Sequence, residues 1–150
     1  MLIENRPALD PELCALVVAQ QREVSAASGG RDTVTYPPHD DVAYLVAVLS
    51  GRAVGCGAWQ ALEPGVAEIK RMYVRPAYRR RGIARQLLVA LEEEILATGR
   101  RTVRLETGTY LASAIGLYTA AGYRPIPAYG EYAGNPYSVC FEQHLPVAVP

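Results

Sequence analysis

The sequence predicts one domain of the α/β or α+β class, with a mixed β-sheet and helices packed around it. Two observations lead to this prediction. Strand-like segments stand before, between and after helix-like segments, so the strands bracket helices around one sheet. The chain has 150 residues, half of them hydrophobic and a fifth charged, as in one ordinary globular domain. A helical bundle, an all-β sandwich and a disordered chain are therefore excluded.

The N-terminal part predicts a helix followed by a loop. Asp10, Pro11 and Glu12 are typical of a helix start, because aspartate caps the first turn and proline fits its first position. Apolar residues then recur at helical spacing until Gly29-Gly30. Residues 31–42 are polar and contain two prolines, which indicates a loop.

Three strands are predicted next, over residues 43–49, 53–62 and 67–74, with turns between them. Side chains on a strand alternate between its two faces. In the third strand this alternation places Glu68, Lys70, Met72 and Val74 on one face, and Ala67, Ile69, Arg71 and Tyr73 on the other.

The second half predicts two more helices and further strands. A long helix follows Gly82 and ends at Gly99, with an apolar stripe formed by Ile83, Leu87, Leu88, Leu91 and Ile95. A strand over 102–107 is followed by a helix over 113–121 that ends at Gly122. The pair Tyr123-Arg124 and residues 138–143 are strand-like.

The segment from Arg71 to Arg85 carries the most chemical information, since it holds six arginines and no acidic residue. Gly82 stands where a loop passes into a helix, and backbone N–H groups there can form an anion-binding nest beside the positive end of the helix. These features suit a pyrophosphate, although neither a P-loop nor a G-x-G-x-x-G pattern is present. A solvated basic loop and a contact with RNA or DNA are the alternatives.

Three motifs in order resemble the GNAT N-acetyltransferase superfamily. Residues 79–84, Arg79-Arg80-Arg81-Gly82-Ile83-Ala84, are similar to its acetyl-CoA signature Q/R-x-x-G-x-G/A. Residues 68–76 resemble its central strand, and residues 114–123, AIGLYTAAGY, resemble its A-x-x-L-Y-x-x-x-G-F/Y segment. The resemblance covers about residues 43–124, and residues 138–142 are similar to a bacterial subgroup of unassigned substrate. It implies a mixed, mostly antiparallel central sheet with a splayed central strand, preceded by a first strand and helix.

The resemblance also implies an enzyme that transfers an acetyl group from acetyl-CoA directly to a primary amine. Residues in two segments are implied to bind acetyl-CoA. The freed backbone of the central strand would contact the pantetheine arm through Met72, Tyr73 and Val74. Main-chain amides of the signature would hold the pyrophosphate, namely those of Arg80, Arg81, Gly82, Ile83 and Ala84. The side chain of Arg79 would lie near phosphate.

Two catalytic residues are implied by the same resemblance. Glu68, fourteen residues before Gly82, matches the general base that removes a proton from the amine. Tyr118 matches the acid that protonates the leaving thiolate of CoA. Two structural alternatives stay open, since Glu68 could simply pair with Lys70 or an arginine, and Tyr118 could simply pack.

The sequence departs from the family pattern at Leu111, where an asparagine that contacts CoA is frequent; Ser113 is a candidate substitute. The acceptor is not predicted beyond an amine on a small molecule or a protein. We expect specificity to lie in residues 31–42 and 125–137, with three tyrosines as candidate lining of the acceptor pocket: Tyr110, Tyr129 and Tyr132.

Charge and composition exclude several other functions. Fifteen basic residues balance fifteen acidic residues, so the whole molecule has no net attraction to nucleic acid or acidic membranes. The three scattered cysteines and two histidines predict neither a disulfide framework nor a metal site. Without a transmembrane or signal segment, a cytoplasmic protein is expected, and the family makes a homodimer an expectation. An acyl-CoA binding or sensing module with little catalysis is the second interpretation, and a nucleic-acid binder is the third.

Overall fold

The computed structural model describes residues 1–30 and 41–146. Within these residues seven strands form one sheet in the order β1-β2-β3-β4-β5-β7-β6. The strands are β1 (Leu2–Arg6), β2 (Ala43–Leu49), β3 (Arg52–Glu63), β4 (Val66–Val74), β5 (Thr102–Gly108), β6 (Arg124–Ile126) and β7 (Ser138–His144). The helices are α1 (Pro11–Ala27), α2 (Ile83–Ala97) and α3 (Ala112–Ala120). Ten residues of the predicted loop, 31–40, lie outside the described residues.

The sheet is mixed and mostly antiparallel. Neighbouring described strands run antiparallel, except that β4 and β5 are parallel because α2 carries the chain between them. The predicted fold class is therefore confirmed. Predicted and observed bounds of the helices and central strands agree closely, since each segment has a clear periodicity and a distinct start or stop signal.

The sheet separates two hydrophobic cores. On one face α1 packs through Leu13, Leu16 and Val17 against β2 to β4. The carboxylate of Asp10 accepts a hydrogen bond from the amide of Leu13 at 2.9 Å, which is the helix cap that the sequence predicts. On the other face the predicted apolar stripe of α2 is fully buried, and one side chain of α3, Tyr118, joins the same core.

The alternation predicted along β4 is wrong beyond Lys70. Ala58 pairs with Lys70 and Cys56 pairs with Tyr73, so β4 contains one extra residue at this point, and Arg71 has a φ of 60°. A bulge of this kind exchanges the two faces of a strand. Ile69 consequently lies in the α2 core and Tyr73 in the α1 core, although alternation placed them on the same face.

The central strands separate halfway along their length, as the family resemblance implied. β4 and β5 pair from Val66 with Thr102 to Ile69 with Leu105 and no further. Both strands continue for several residues, and β5 stays paired with β7 on its other edge as far as Gly108. The facing edges of β4 and β5 beyond this point have left the ladder, and the gap between them is called the opening below.

Residues 1–30 and 41–146 lack two features, a membrane-spanning helix and a cluster of metal ligands. They contain no helix that is both long and apolar enough to cross a membrane. The same residues contain no group of three or more His, Cys, Asp or Glu side chains arranged to hold a metal ion.

Candidate active site

Glu68 lies one residue before the last pair of the β4–β5 ladder, at the base of the opening. Its side chain is only 4% exposed, and both carboxylate oxygens accept hydrogen bonds. Gln60 Nε2 donates to Oε1 at 3.0 Å, and Lys70 Nζ lies 3.4 Å from the same oxygen. The hydroxyl group of Tyr129 donates to Oε2 at 2.6 Å. The ion pair between Glu68 and Lys70, one of the alternatives that the sequence left open, is therefore present.

Two tyrosines from the segment between β6 and β7 cover this carboxylate. The rings of Tyr129 and Tyr132 meet edge to face with centroids 5.4 Å apart. Burial and the neighbouring carboxylate of Glu68 raise the pKa of Tyr129, and burial together with Glu68 and Glu106 raises that of Tyr132. Both hydroxyl groups therefore stay protonated at ordinary pH. The structure thus brings two of the three candidate pocket tyrosines to the predicted base.

The third candidate, Tyr110, lies at the carboxyl end of β5. Its ring packs directly over Gly108, where an added Cβ would stand 2.5 Å from the ring. A larger residue at position 108 would push the ring away. Gly108 therefore provides the space in which Tyr110 sits beside the opening.

Two charged side chains of β5 that sequence reasoning missed share the face of Glu68. Arg104 pairs with Glu142 at 2.8 Å and with Glu63 at 3.1 Å, and its guanidinium lies 5.7 Å from the centre of the Tyr129 ring. Glu106 accepts a hydrogen bond from the hydroxyl group of Ser138 at 2.6 Å. Their alternation with buried Val103 and Leu105, both apolar, was the signal that could have found them.

The loop before α2 has the geometry of an anion-binding nest. Arg80 and Gly82 have φ angles of 64° and 77°, both in the left-handed region, and the loop is exposed. Among residues 1–30 and 41–146 no side chain caps the start of α2, so its first N–H groups lack a capping partner from this part of the chain. A Cβ added at Gly82 would meet nothing within 4 Å. The residues present therefore fit a pyrophosphate group.

The side chain of Arg79 binds protein groups in this structure. Nε donates to the carbonyl oxygen of Val74 at 2.8 Å, and a terminal nitrogen lies 2.6 Å from Glu23 of α1. The guanidinium also stacks over Tyr73, 5.6 Å from the ring centre. Arg79 thus joins β4 and α1 to the start of the nest, whereas the family resemblance led us to expect this side chain near phosphate.

The bulge in β4 is held by two side chains that sequence reasoning also missed. The thiol of Cys56 donates to the carbonyl oxygen of Arg71 at 3.3 Å, and Gln20 Nε2 donates to that of Met72 at 3.0 Å. Burial raises the pKa of Cys56 to about 12, so this sulfur is a neutral thiol and a poor nucleophile. The two contacts fix the course of β4 along the opening.

Tyr118 is placed by α3 in the α2 core, on the side of the sheet opposite α1. Its ring meets those of Tyr123 at 5.8 Å and Phe141 at 6.4 Å. Burial raises the pKa of Tyr118, so its hydroxyl group keeps its proton. Leu111, at the position of the family asparagine, precedes α3 and supplies no capping hydrogen bond.

The comparisons with known proteins agree with this geometry. The Acetyltransferase (GNAT) family matches residues 12–123. An IAA acetyltransferase from Azospirillum brasilense is 42% identical over 106 residues, which are 70% of this chain and 69% of the relative. A crystal structure from Klebsiella pneumoniae, described as an acyl-CoA N-acyltransferase, has 35% identity, covers 96% of this chain and 97% of its own, and gives a TM-score of 0.82.

A third comparison concerns the fold alone. The PaiA N-acetyltransferase from Thermoplasma acidophilum, solved in complex with coenzyme A, has 18% identity and a TM-score of 0.73, with 96% of this chain and 99% of its own covered. The parted central strands, the nest before α2 and the family match over most of the chain lead to one conclusion: this chain belongs to the GNAT family of acetyltransferases.

Proposed function

We propose that this protein transfers the acetyl group of acetyl-CoA directly to a primary amine. The observation that carries the proposal is the opening between β4 and β5, with the nest of Arg80 and Gly82 beside it. One feature offers unpaired strand edges and the other offers oriented N–H groups. Together they suit a long ligand with a peptide-like arm and a pyrophosphate.

The nest and the opening have separate binding roles in this proposal. Main-chain amides of residues 80–84 would donate hydrogen bonds to the pyrophosphate. The backbone of residues 72–74 would run beside the pantetheine arm, and one of its amides would donate to the thioester carbonyl oxygen. Acetyl-CoA itself supplies an acyl group that is activated toward attack by an amine.

Glu68 serves the acceptor side. Amines reach the enzyme mainly as ammonium ions, which must lose a proton before they attack. The Glu68 carboxylate lies at the base of the opening and is buried. The carboxylate, rather than bulk water, would therefore accept the proton. This position supports its role as general base.

Tyr118 serves the leaving group. Burial raises the pKa of this phenol, so its hydroxyl group is protonated before the reaction. A proton donated from its hydroxyl group would convert the departing thiolate to a thiol. Glu68 and Tyr118 come from different elements, β4 and α3, so acid and base are separate side chains in this proposal.

The acceptor stays open, because the relatives differ in what their names state. One is an IAA acetyltransferase and another is an aminoglycoside 6'-acetyltransferase. We infer that residues 129–132 contact the acceptor, since Tyr129 donates a hydrogen bond to Glu68 and the ring of Tyr132 packs against that of Tyr129. A homodimer and a cytoplasmic location stay predictions.

An acetyl-transfer assay tests the function. Purified protein is mixed with acetyl-CoA and a panel of probe amines: butylamine, tyramine, putrescine and glycinamide. Release of free CoA is followed with a thiol reagent, and the acetylated amine is identified by mass spectrometry. Acetyl transfer to a panel amine supports the proposal. Binding of acetyl-CoA with no transfer would instead support the acyl-CoA binding module.

A further inference from the structure

We propose that Tyr129 carries the proton from the acceptor amine to Glu68, as a relay between the two. This inference rests on the proposed function, because it assumes that Glu68 is the final proton acceptor. Tyr129 lies outside the three family motifs.

Glu68 is hard for a substrate to reach. Only 4% of its side chain is exposed. Donors occupy both oxygens, with Gln60 and Lys70 on Oε1 and Tyr129 on Oε2. With so little of the side chain exposed and a donor on each oxygen, Glu68 offers a substrate nitrogen little open surface.

Tyr129 is more exposed than the carboxylate that it contacts. Its hydroxyl group donates to Oε2 at 2.6 Å, a short distance typical of a strong hydrogen bond to a charged acceptor. The side chain is only partly buried, unlike Glu68. A phenol oxygen that donates one hydrogen bond can still accept another. An ammonium group can therefore donate to Tyr129 while Tyr129 donates to Glu68.

The proton balance of the step is simple. One N–H bond of the ammonium breaks and a new O–H bond forms on Tyr129. The original O–H bond of Tyr129 breaks, and its proton binds Oε2 of Glu68. The amine becomes neutral, the carboxylate becomes a carboxylic acid, and Tyr129 ends as it began. A phenolate does not accumulate, because burial and Glu68 raise the pKa of Tyr129.

Four charged or titratable groups face the Tyr129 ring or hydroxyl group. They are Glu68 of β4, Arg104 of β5, Tyr132 of the same segment and Cys140 of β7. Arg104 is paired with Glu63 and Glu142, and burial keeps the other two groups neutral by raising their pKa values. Among these four groups, Glu68 is the one positioned to take a proton from Tyr129.

The test compares four variants with the native protein: Tyr129→Phe, Glu68→Gln, the double variant and Tyr137→Phe. Tyr129→Phe removes one oxygen and keeps the ring contacts. Tyr137→Phe is the matched control, because it removes a hydroxyl group from a tyrosine of the same segment that is 44% exposed. The readout is kcat/KM, measured with the probe amine that the native protein acetylates fastest. The pH runs from 6.5 to about 9.5, close to the pKa of alkyl amines, which is near 10. Circular dichroism and the thermal shift with acetyl-CoA verify that each variant folds and binds.

The relay predicts a loss of about 100-fold for Tyr129→Phe at pH 7. The loss shrinks toward pH 9.5, because the amine then arrives increasingly neutral. The double variant is no slower than the slower single variant, since both residues act in one proton path, and Tyr137→Phe equals the native protein.

Three results would overturn the relay: native rates for Tyr129→Phe, a loss of equal size at every pH, or losses that multiply in the double variant. If the native protein neither binds acetyl-CoA nor acetylates a probe amine, the proposed function fails first. If instead the native protein is active and the Tyr129→Phe variant is equally active, the relay alone is rejected and the proposed function stands.

Discussion

Arg79 and Glu23 form an ion pair at 2.6 Å that joins α1 to the loop before α2. Both side chains are about 40% exposed, so water screens the pair and its energy is small. The hydrogen bond from Arg79 to the carbonyl oxygen of Val74 is independent of Glu23. The arginine therefore keeps part of its position when the acid is changed.

Glu23→Gln tests this estimate. We expect the free energy of unfolding in urea to fall by less than about 1 kcal/mol, because exposed ion pairs contribute about that much or less. The difference from the native protein should shrink in 0.5 M salt, roughly, since the Debye length is then only a few ångströms. A loss well above this value that salt does not reduce would show that Glu23 has a buried structural role.

Gly82→Ala tests the nest. A left-handed alanine costs about 1 kcal/mol of stability, although the added Cβ meets nothing within 4 Å. We also expect acetyl-CoA to bind at least tenfold more weakly by calorimetry, because strain at Gly82 (φ of 77°) turns the amides away from the pyrophosphate. Gly65→Ala is the matched control, since Gly65 has a φ of 78°, open space and a place in the β3–β4 turn. Equal weakening in both variants would contradict the nest.

Glu92→Gln tests the effect of a half-buried carboxylate on stability. Burial raises the pKa of Glu92 above 4.5, more than the hydrogen bond from Tyr123 lowers it. The folded state therefore binds this proton more tightly, so the group's contribution to stability is present below pH 4.5 and is lost as pH rises through the folded pKa. Relative to the native protein, the variant should gain stability between pH 4.5 and 7 in urea titrations. A constant difference would be evidence against a raised pKa.

Tyr118→Phe tests the acid. We expect kcat to fall by about tenfold or more while the affinity for acetyl-CoA is unchanged, because the ring contacts with Tyr123 and Phe141 remain. Steady-state kinetics and calorimetry separate the two effects. Native turnover in this variant would mean that the thiolate takes its proton elsewhere and that Tyr118 only packs.

Periodicity predicted most of the fold, and local sequence could not predict the bulge. The stripe of α2 and the cap of α1 were predicted because each depends on residues a few positions apart. The bulge at Arg71 places a non-glycine residue at a φ of 60°, and no residue type there signals it. Its carbonyl is held by Cys56, fifteen residues away.

The sequence singled out Glu68 and Tyr129 separately and did not predict the contact between them. Glu68 and Tyr129 were both candidates, but they are 61 residues apart, and nothing in a single sequence shows that they share a hydrogen bond. Arg79 and Glu23 are 56 residues apart, so their ion pair could not be predicted either. Such pairs depend on how β4, α1 and the C-terminal segment come together in space.

Thermal unfolding with and without acetyl-CoA tests the central claim most directly, namely that the opening between β4 and β5 and the nest of Arg80 and Gly82 hold this ligand. At about 100 times its Kd, acetyl-CoA should stabilise the fold by about 2.7 kcal/mol. For a chain of 150 residues this raises Tm by about 5–10 °C. A smaller rise with 3′-dephospho-CoA would indicate an arginine at the 3′-phosphate. An unchanged Tm with acetyl-CoA would contradict the account.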